Sequence, residues 1–350
     1  MAYTTIDDPT IYFNTKLYTG TGSTQSITGV GFQPDWVWIK DRDAANWNCL
    51  MDAVRGASKV IYSNESDAEA TVSTLLTSFD SDGFSLGAAA DGNRNTANFA
   101  SWNWKAGGSA SSNTDGTQTS SVSVNQDAGF SIVTYTGGNT NDSSDNVGHG
   151  LGVIPSMIIT KVRNGTTGWI VGHKDIGWND QLVLNTTAAE SVNNRSYGVN
   201  TNPTSSVFTV AQNGGDYITN SGGTFVSYCF AEKQGYSKFG SYIGNNSNDG
   251  SYIHLGFKPA MIIVKQSSGT NSWHIMDNKR DTFNPLGNLL LPNSNAATNT
   301  VSANRFDFLS NGFKCRDTSG GTNASGQTYI YMAFAESPFV TSSGVPATAR

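Results

Sequence analysis

Charge is scarce in this chain. Of its 350 residues only 14% are Asp, Glu, Lys or Arg, and the formal net charge is −6. No basic run or stripe is present, so nucleic-acid backbone binding lacks its electrostatic footprint. Long apolar runs are missing as well. None approaches the roughly 20 residues that a membrane helix requires, and no membrane insertion is expected. The opening Met1-Ala-Tyr-Thr-Thr-Ile-Asp-Asp8 has neither a basic region nor an apolar stretch, so it does not read as a secretory signal. Cysteine appears three times, as Cys49, Cys229 and Cys315. An odd set without metal-like spacing argues against both a disulfide framework and a metal centre. The three are expected to be buried, small apolar residues of a protein assembled in a reducing cytoplasm.

Catalytic signatures are equally thin. There is no Gly-x-Ser-x-Gly, no Walker loop, and no metal spacing among His149, His173, His254 and His274. Gly148-His-Gly150-Leu-Gly152 precedes a strand, whereas a dinucleotide loop follows one. The carboxylate pairs Asp41/Asp43, Asp80/Asp82 and Asp142/Asp145 lie in turn-rich stretches, where Asp serves local hydrogen bonding. Oxygen ligands cluster at 141–146 and 246–249, but a hydrated turn is the better reading than calcium. No catalytic residue, cofactor or metal is therefore expected.

What the chain does have is repetition. Gly31-Phe-Gln-Pro-Asp-Trp-Val-Trp-Ile-Lys40, Gly152-Val-Ile-Pro-Ser-Met-Ile-Ile-Thr-Lys161 and Gly256-Phe-Lys-Pro-Ala-Met-Ile-Ile-Val-Lys265 are versions of one block. Each is a Gly-x-x-Pro turn, an apolar strand and a closing lysine. Pro155 and Pro259, Lys161 and Lys265, Trp169 and Trp273, and Glu232 and Glu336 all stand 104 residues apart. Register kept over such a distance marks copies of one structural unit.

Composition supplies the fold class. Gly, Ser, Thr and Asn fill the place of charge, and turn signals such as Asp82-Gly83 and Asn311-Gly312 separate short apolar runs. The expectation is an all-β protein of three tandem β-sandwich-like repeats, arranged about a pseudo-three-fold axis. The boundaries read as an N-terminal docking segment 1–15, repeat one 16–107, a Gly/Ser/Thr-rich linker 108–127, repeat two 128–235, repeat three 236–340 and a tail 341–350. Trp36–Ile39, apolar at every position, should be covered on both faces.

Positions that recur in all copies should be scaffold. Trp36 aligns with Met157 and Met261, Trp47 with Trp169 and Trp273, and Trp104 with Phe230 and Phe334. These nine are expected to build the repeat core. Trp178 aligns with Phe283 to within one position. Lys40, Lys161 and Lys265 are expected to be solvated strand ends with packed stems. No ligand-binding residue can be named.

Tyr18-Thr-Gly20, Gly31-Phe-Gln-Pro-Asp-Trp-Val-Trp-Ile-Lys40, Trp47 followed by Asp52-Ala-Val-Arg55-Gly56, and a closing Phe334-Ala-Glu336 together resemble a repeat domain of tailed-phage virion proteins, especially those of marine phages. The resemblance covers about residues 1–340 and implies a virion structural protein: a spike, fibre, or capsid or tail decoration. It implies assembly in the host cytoplasm with other virion proteins as partners, and a homotrimer unless the three units of one chain supply the three-fold character. Units two and three, with Lys174-Asp175 and Lys279-Arg280, depart from the Asp-x-x-Arg-Gly turn. The alternative is a carbohydrate-binding protein recognising a host surface glycan, which would show exposed aromatics in one unit only. A depolymerase is a third reading.

Overall fold

The computed structural model describes residues 2–138, 145–191, 197, 202–210, 212–213, 216–300 and 305–347. The protein is all-β. Among the described residues its helical segments are a single 3-10 turn, Pro9–Ile11, and the four-residue Ala90–Asn93. Among the described residues no helix is long and apolar enough to cross a membrane.

Each third of the chain contributes one long antiparallel sheet. In the first third the order is Phe13–Thr19, Asn98–Trp104, Trp36–Asp41, Cys49–Asp52, Lys59–Tyr62 and Ala70–Thr71. The middle third runs Ser111–Asn113, Ser120–Asn125, Phe130–Thr136, Thr224–Phe230, Met157–Val162, Ile170–His173 and Leu182–Val183. In the last third the order is Ser237–Ile243, Thr328–Pro338, Phe257–Gln266 and His274–Asp277. The closing strand lies second in each of the first and last sheets, and pairs register for register with the lysine-ended strand: Trp36 opposite Trp104, Met157 opposite Phe230, Met261 opposite Phe334.

The residues 108–127 are not the expected linker. Ser111–Asn113 and Ser120–Asn125 extend the middle sheet at its edge, with Val122 opposite Val133. Val122 and Val124 alternate with Ser and Asn, a period-two pattern that Gly/Ser content masked. The ends of the chain are also occupied. The Thr4 hydroxyl donates to the Gln234 carbonyl over 2.7 Å, and the Asp7 carboxylate accepts from the backbone and hydroxyl of Ser342, each at 2.6 Å.

Because side chains alternate along a strand, each sheet has two buried faces. One face meets the faces of the other two sheets. Trp36, Trp38, Trp102 and Trp104 pack there with Phe130, Met157, Tyr228, Phe230, Met261, Met332 and Phe334 in one apolar cluster. The Trp36 ring lies 4.3 Å from that of Tyr228, and Phe13 stacks on Phe334 at 5.0 Å. The other face of each sheet has its own core beneath a smaller covering sheet or strand pair. In the first third the cover is Gln25–Thr28, Gly83–Leu86 and Leu76–Asp80, and Val37 and Ile39 pack beneath it with Phe84 and Phe99. Trp36–Asp41 is buried along its whole length, as a strand covered on both faces requires. The Asp82-Gly83 turn closes the expected hairpin. A Cβ on Gly83 would fall 1.9 Å from the Ile27 carbonyl, so no other residue fits.

Candidate functional site

The chemistry of this protein is directed inward, to the seams between the three sheets. Lys40, Lys161 and Lys265 are fully buried, not solvated as their sequence positions suggested. Each ends a central strand, and each ammonium sits among backbone carbonyls. Lys40 donates to Asp41 at 2.8 Å, to Ala44 at 3.3 Å, and across the seam to Asn295 of the last third at 3.1 Å. Lys161 donates to Val162 and to Ser66 of the first third, at 3.2 and 3.0 Å. Lys265 donates to Gln266, Gly269 and, at 3.4 Å, Thr187 of the middle third. Burial lowers the pKa of Lys40 and of Lys265 to about 8, against the opposing pull of Asp41 and Glu190 respectively. Three carbonyls can hold an ammonium because it offers three donors.

A second contact repeats in the same sense. Trp169 donates its indole N–H to the Tyr62 carbonyl at 2.9 Å, and Trp273 donates to the Val183 carbonyl at 3.2 Å. Each follows its lysine at the same interval. In the first third that position belongs to Asn48, whose amide donates to the Leu291 and Ser294 carbonyls. A third contact is backbone to backbone: Glu69 N–H to the Arg163 carbonyl, Glu190 to Ser267, and Thr298 to Arg42, at 2.7 to 2.8 Å. Together these contacts run from first third to middle, middle to last, and last back to first.

Trp47 therefore corrects the expected core list. It is one residue short of the Trp169 and Trp273 position, and a one-residue slip turns a strand side chain to the opposite face. Trp47 is 42% exposed and leans on the Tyr62 ring at 4.7 Å. The other eight, Trp36, Trp104, Met157, Trp169, Phe230, Met261, Trp273 and Phe334, are buried in the shared cluster. Trp178 and Phe283 do not correspond in burial either: Trp178 is buried and Phe283 is 84% exposed.

Deeper in the seams lie two fully buried Asp–Arg pairs three residues apart in sequence. Asp52 faces Trp36 across the sheet, and Asp277 faces Met261. Asp52 pairs with Arg55 and accepts the Tyr228 hydroxyl of the middle third at 2.8 Å. Asp277 pairs with Arg280 at 2.6 Å and accepts the Trp102 indole of the first third at 3.1 Å. The last third thus keeps the Asp-x-x-Arg turn that sequence comparison had denied it. At the remaining seam the same register positions hold His173 and Met332, with Ile176 in the arginine's place. Burial lowers the His173 pKa to about 4, so the ring is neutral there.

The carboxylate pairs serve turns. Asp41 accepts the Asp43 and Ala44 amides and pairs with Arg94, while Asp82 accepts the Gly29 and Gly31 amides. Asp142 lies outside the described residues. In 246–249, Asp249 pairs with Lys314. The 141–144 stretch also lies outside the described residues. Among those described, no group of three or more His, Cys, Asp or Glu side chains converges. Cys49, Cys229 and Cys315 are free and buried, and burial raises each thiol pKa.

Two clefts open on the surface formed by the described residues. One of about 590 Å³ is lined by Gln33, Asp35, Lys105 and Gln126. The other, of about 810 Å³, is lined by Tyr252, Lys258, Phe308, Asn311 and Glu336. No curated protein and no solved structure matches this chain. A family model described as a domain of unknown function (DUF7483) matches residues 8–338, and the chain belongs to that family.

Proposed function

We propose that this chain is a non-enzymatic structural protein of a tailed-phage virion: a spike, fibre, or capsid or tail decoration that serves assembly or host attachment. Its body is three copies of one β-sandwich module closed about a pseudo-three-fold axis. The observation that carries the reading is the recurrence of one inter-module contact set in a single rotational sense. Ser66, Thr187 and Asn295 each cap the neighbouring module's buried lysine. Such closure spends the chain's polar chemistry on rigidity and leaves Gly/Ser/Asn/Thr loops outward, which suits a mechanical part. The three modules of one chain supply the three-fold character themselves. Other virion proteins are the partners in this reading.

Antibodies raised against the recombinant chain should label purified particles of the encoding phage, and peptides from the chain should appear in the particle proteome. Detection only in infected-cell lysate, with none on particles, contradicts the proposal.

A further inference from the structure

The larger cleft has a built wall. Tyr252 is 48% exposed, yet its ring is held in place. Its hydroxyl bonds the Asn311 backbone carbonyl at 3.3 Å and also the Asn311 side chain. The ring edge lies 3.1 Å from where a Cβ on residue 312 would stand, and residue 312 is glycine. An exposed aromatic tethered at its hydroxyl, with its edge close over a glycine, presents a flat platform. The same cleft is lined by Lys258 and Glu336, paired at 2.7 Å, with Ser337 next in the chain. One positive and one negative group leave the cleft without net charge.

The first third has no aromatic at the corresponding position. Ile253 faces Phe313 as Ile27 faces Phe84, so the place of Tyr252 is taken in the first third by Ser26. Phe283 is a second exposed ring of the last third. Its neighbour Asn284 brackets Phe308, donating to the Phe308 carbonyl at 2.8 Å and accepting its amide at 2.9 Å. Phe308 lines the same cleft.

The geometry points to a binding site for a neutral oligosaccharide of two or three rings. A sugar has an apolar C–H face that stacks on an aromatic ring, and hydroxyls that both donate and accept. Asn311, Ser310, Ser337, Lys258 and Glu336 supply both kinds of partner. Absence of net charge disfavours phosphorylated ligands, and the polar rim disfavours an apolar peptide. This inference stands apart from where the chain is assembled, so its failure leaves the virion reading untouched.

The test is saturation-transfer NMR of the whole chain against maltotriose, cellotriose, laminaritriose and chitotriose, each at about 10 mM, a level that detects dissociation constants near 1 mM. At least one trisaccharide should bind. Tyr252→Ala should weaken that binding about tenfold, Tyr252→Phe should largely preserve it, and Trp47→Ala should leave it unchanged. Unchanged circular dichroism and Tm in each variant exclude unfolding as the cause. No signal from any of the four sugars, or binding indifferent to Tyr252→Ala, overturns the assignment.

Discussion

Trp102 and Asp277 stand 175 residues apart, and the indole N–H of the first donates to the carboxylate of the second over 3.1 Å. The Arg280 guanidinium, paired with the same carboxylate, lies 5.5 Å from the Trp102 ring centroid. The contact therefore joins an ion pair, a hydrogen bond and a cation–π approach at one buried seam.

Breaking such a seam should be costly, because removing one partner strands the other charge. Asp277→Ala is expected to destabilise the protein by about 3–5 kcal/mol in urea unfolding. The chain itself contains an uncharged solution at the corresponding positions His173, Ile176 and Met332. The triple replacement Asp52→His, Arg55→Ile and Tyr228→Met should therefore cost less than Asp52→Ala alone. A triple variant less stable than the single one would show that the three seams are not interchangeable.

The lysine cages make a chemical prediction. Lys40, Lys161 and Lys265 are fully buried, whereas Lys174 and Lys258 are partly exposed. Brief acetylation of the native protein should modify the exposed lysines and spare the three caged ones, read by peptide mass spectrometry. Lys161→Met should cost about 1–3 kcal/mol, since it leaves the Ser66 and Val162 carbonyls without this donor. Solvated strand ends would instead react freely and tolerate the change.

Three histidines set an acid limit. Burial lowers the pKa of His149 and of His173 to about 4, and that of His274 to about 3. The unfolded chain takes up these protons near pH 6.5 while the folded chain does not. Stability is therefore full above about pH 6.5 and falls as pH drops toward 4, by up to about 1.4 kcal/mol per pH unit for each histidine. Urea midpoints measured across this range should fall, and His274→Gln should flatten the slope. A midpoint independent of pH between 6.5 and 4.5 contradicts neutral burial.

The two tryptophan environments differ in consequence. Trp169→Ala empties a site in the shared core and should cost about 3–5 kcal/mol. Trp47→Ala removes a half-exposed ring and should cost under about 1 kcal/mol. Equal losses would return Trp47 to the core.

The all-β class was legible because turn residues and apolar runs report local geometry. The buried strand Trp36–Asp41 and eight of nine core positions were legible for the same reason: their alternation and spacing are properties of one strand. Trp47 misled because a tryptophan one place early looks like the aligned one, while the residue in register, Asn48, is polar. Only its partner carbonyls at 291 and 294, far along the chain, reveal that Asn48 does the work of Trp169 and Trp273. The lysines misled for a related reason. A charge at a strand end is ordinarily wet, and the carbonyls that bury it come from a different third of the chain. The strands within 108–127 were hidden by serine and glycine, whose propensity favours turns even where valines alternate. The cleft at Tyr252 was not legible, since its walls come from five separate stretches of the chain, at 252, 258, 308–311, 336–337 and 347.

Calorimetric unfolding decides whether the three sheets form one cooperative body. One cluster shared by three sheets, with seams clasped in sequence, should melt as a unit. A single transition is expected, with calorimetric and van't Hoff enthalpies in agreement. Two or three resolved transitions, each reproduced by a fragment spanning one third of the chain, would contradict it.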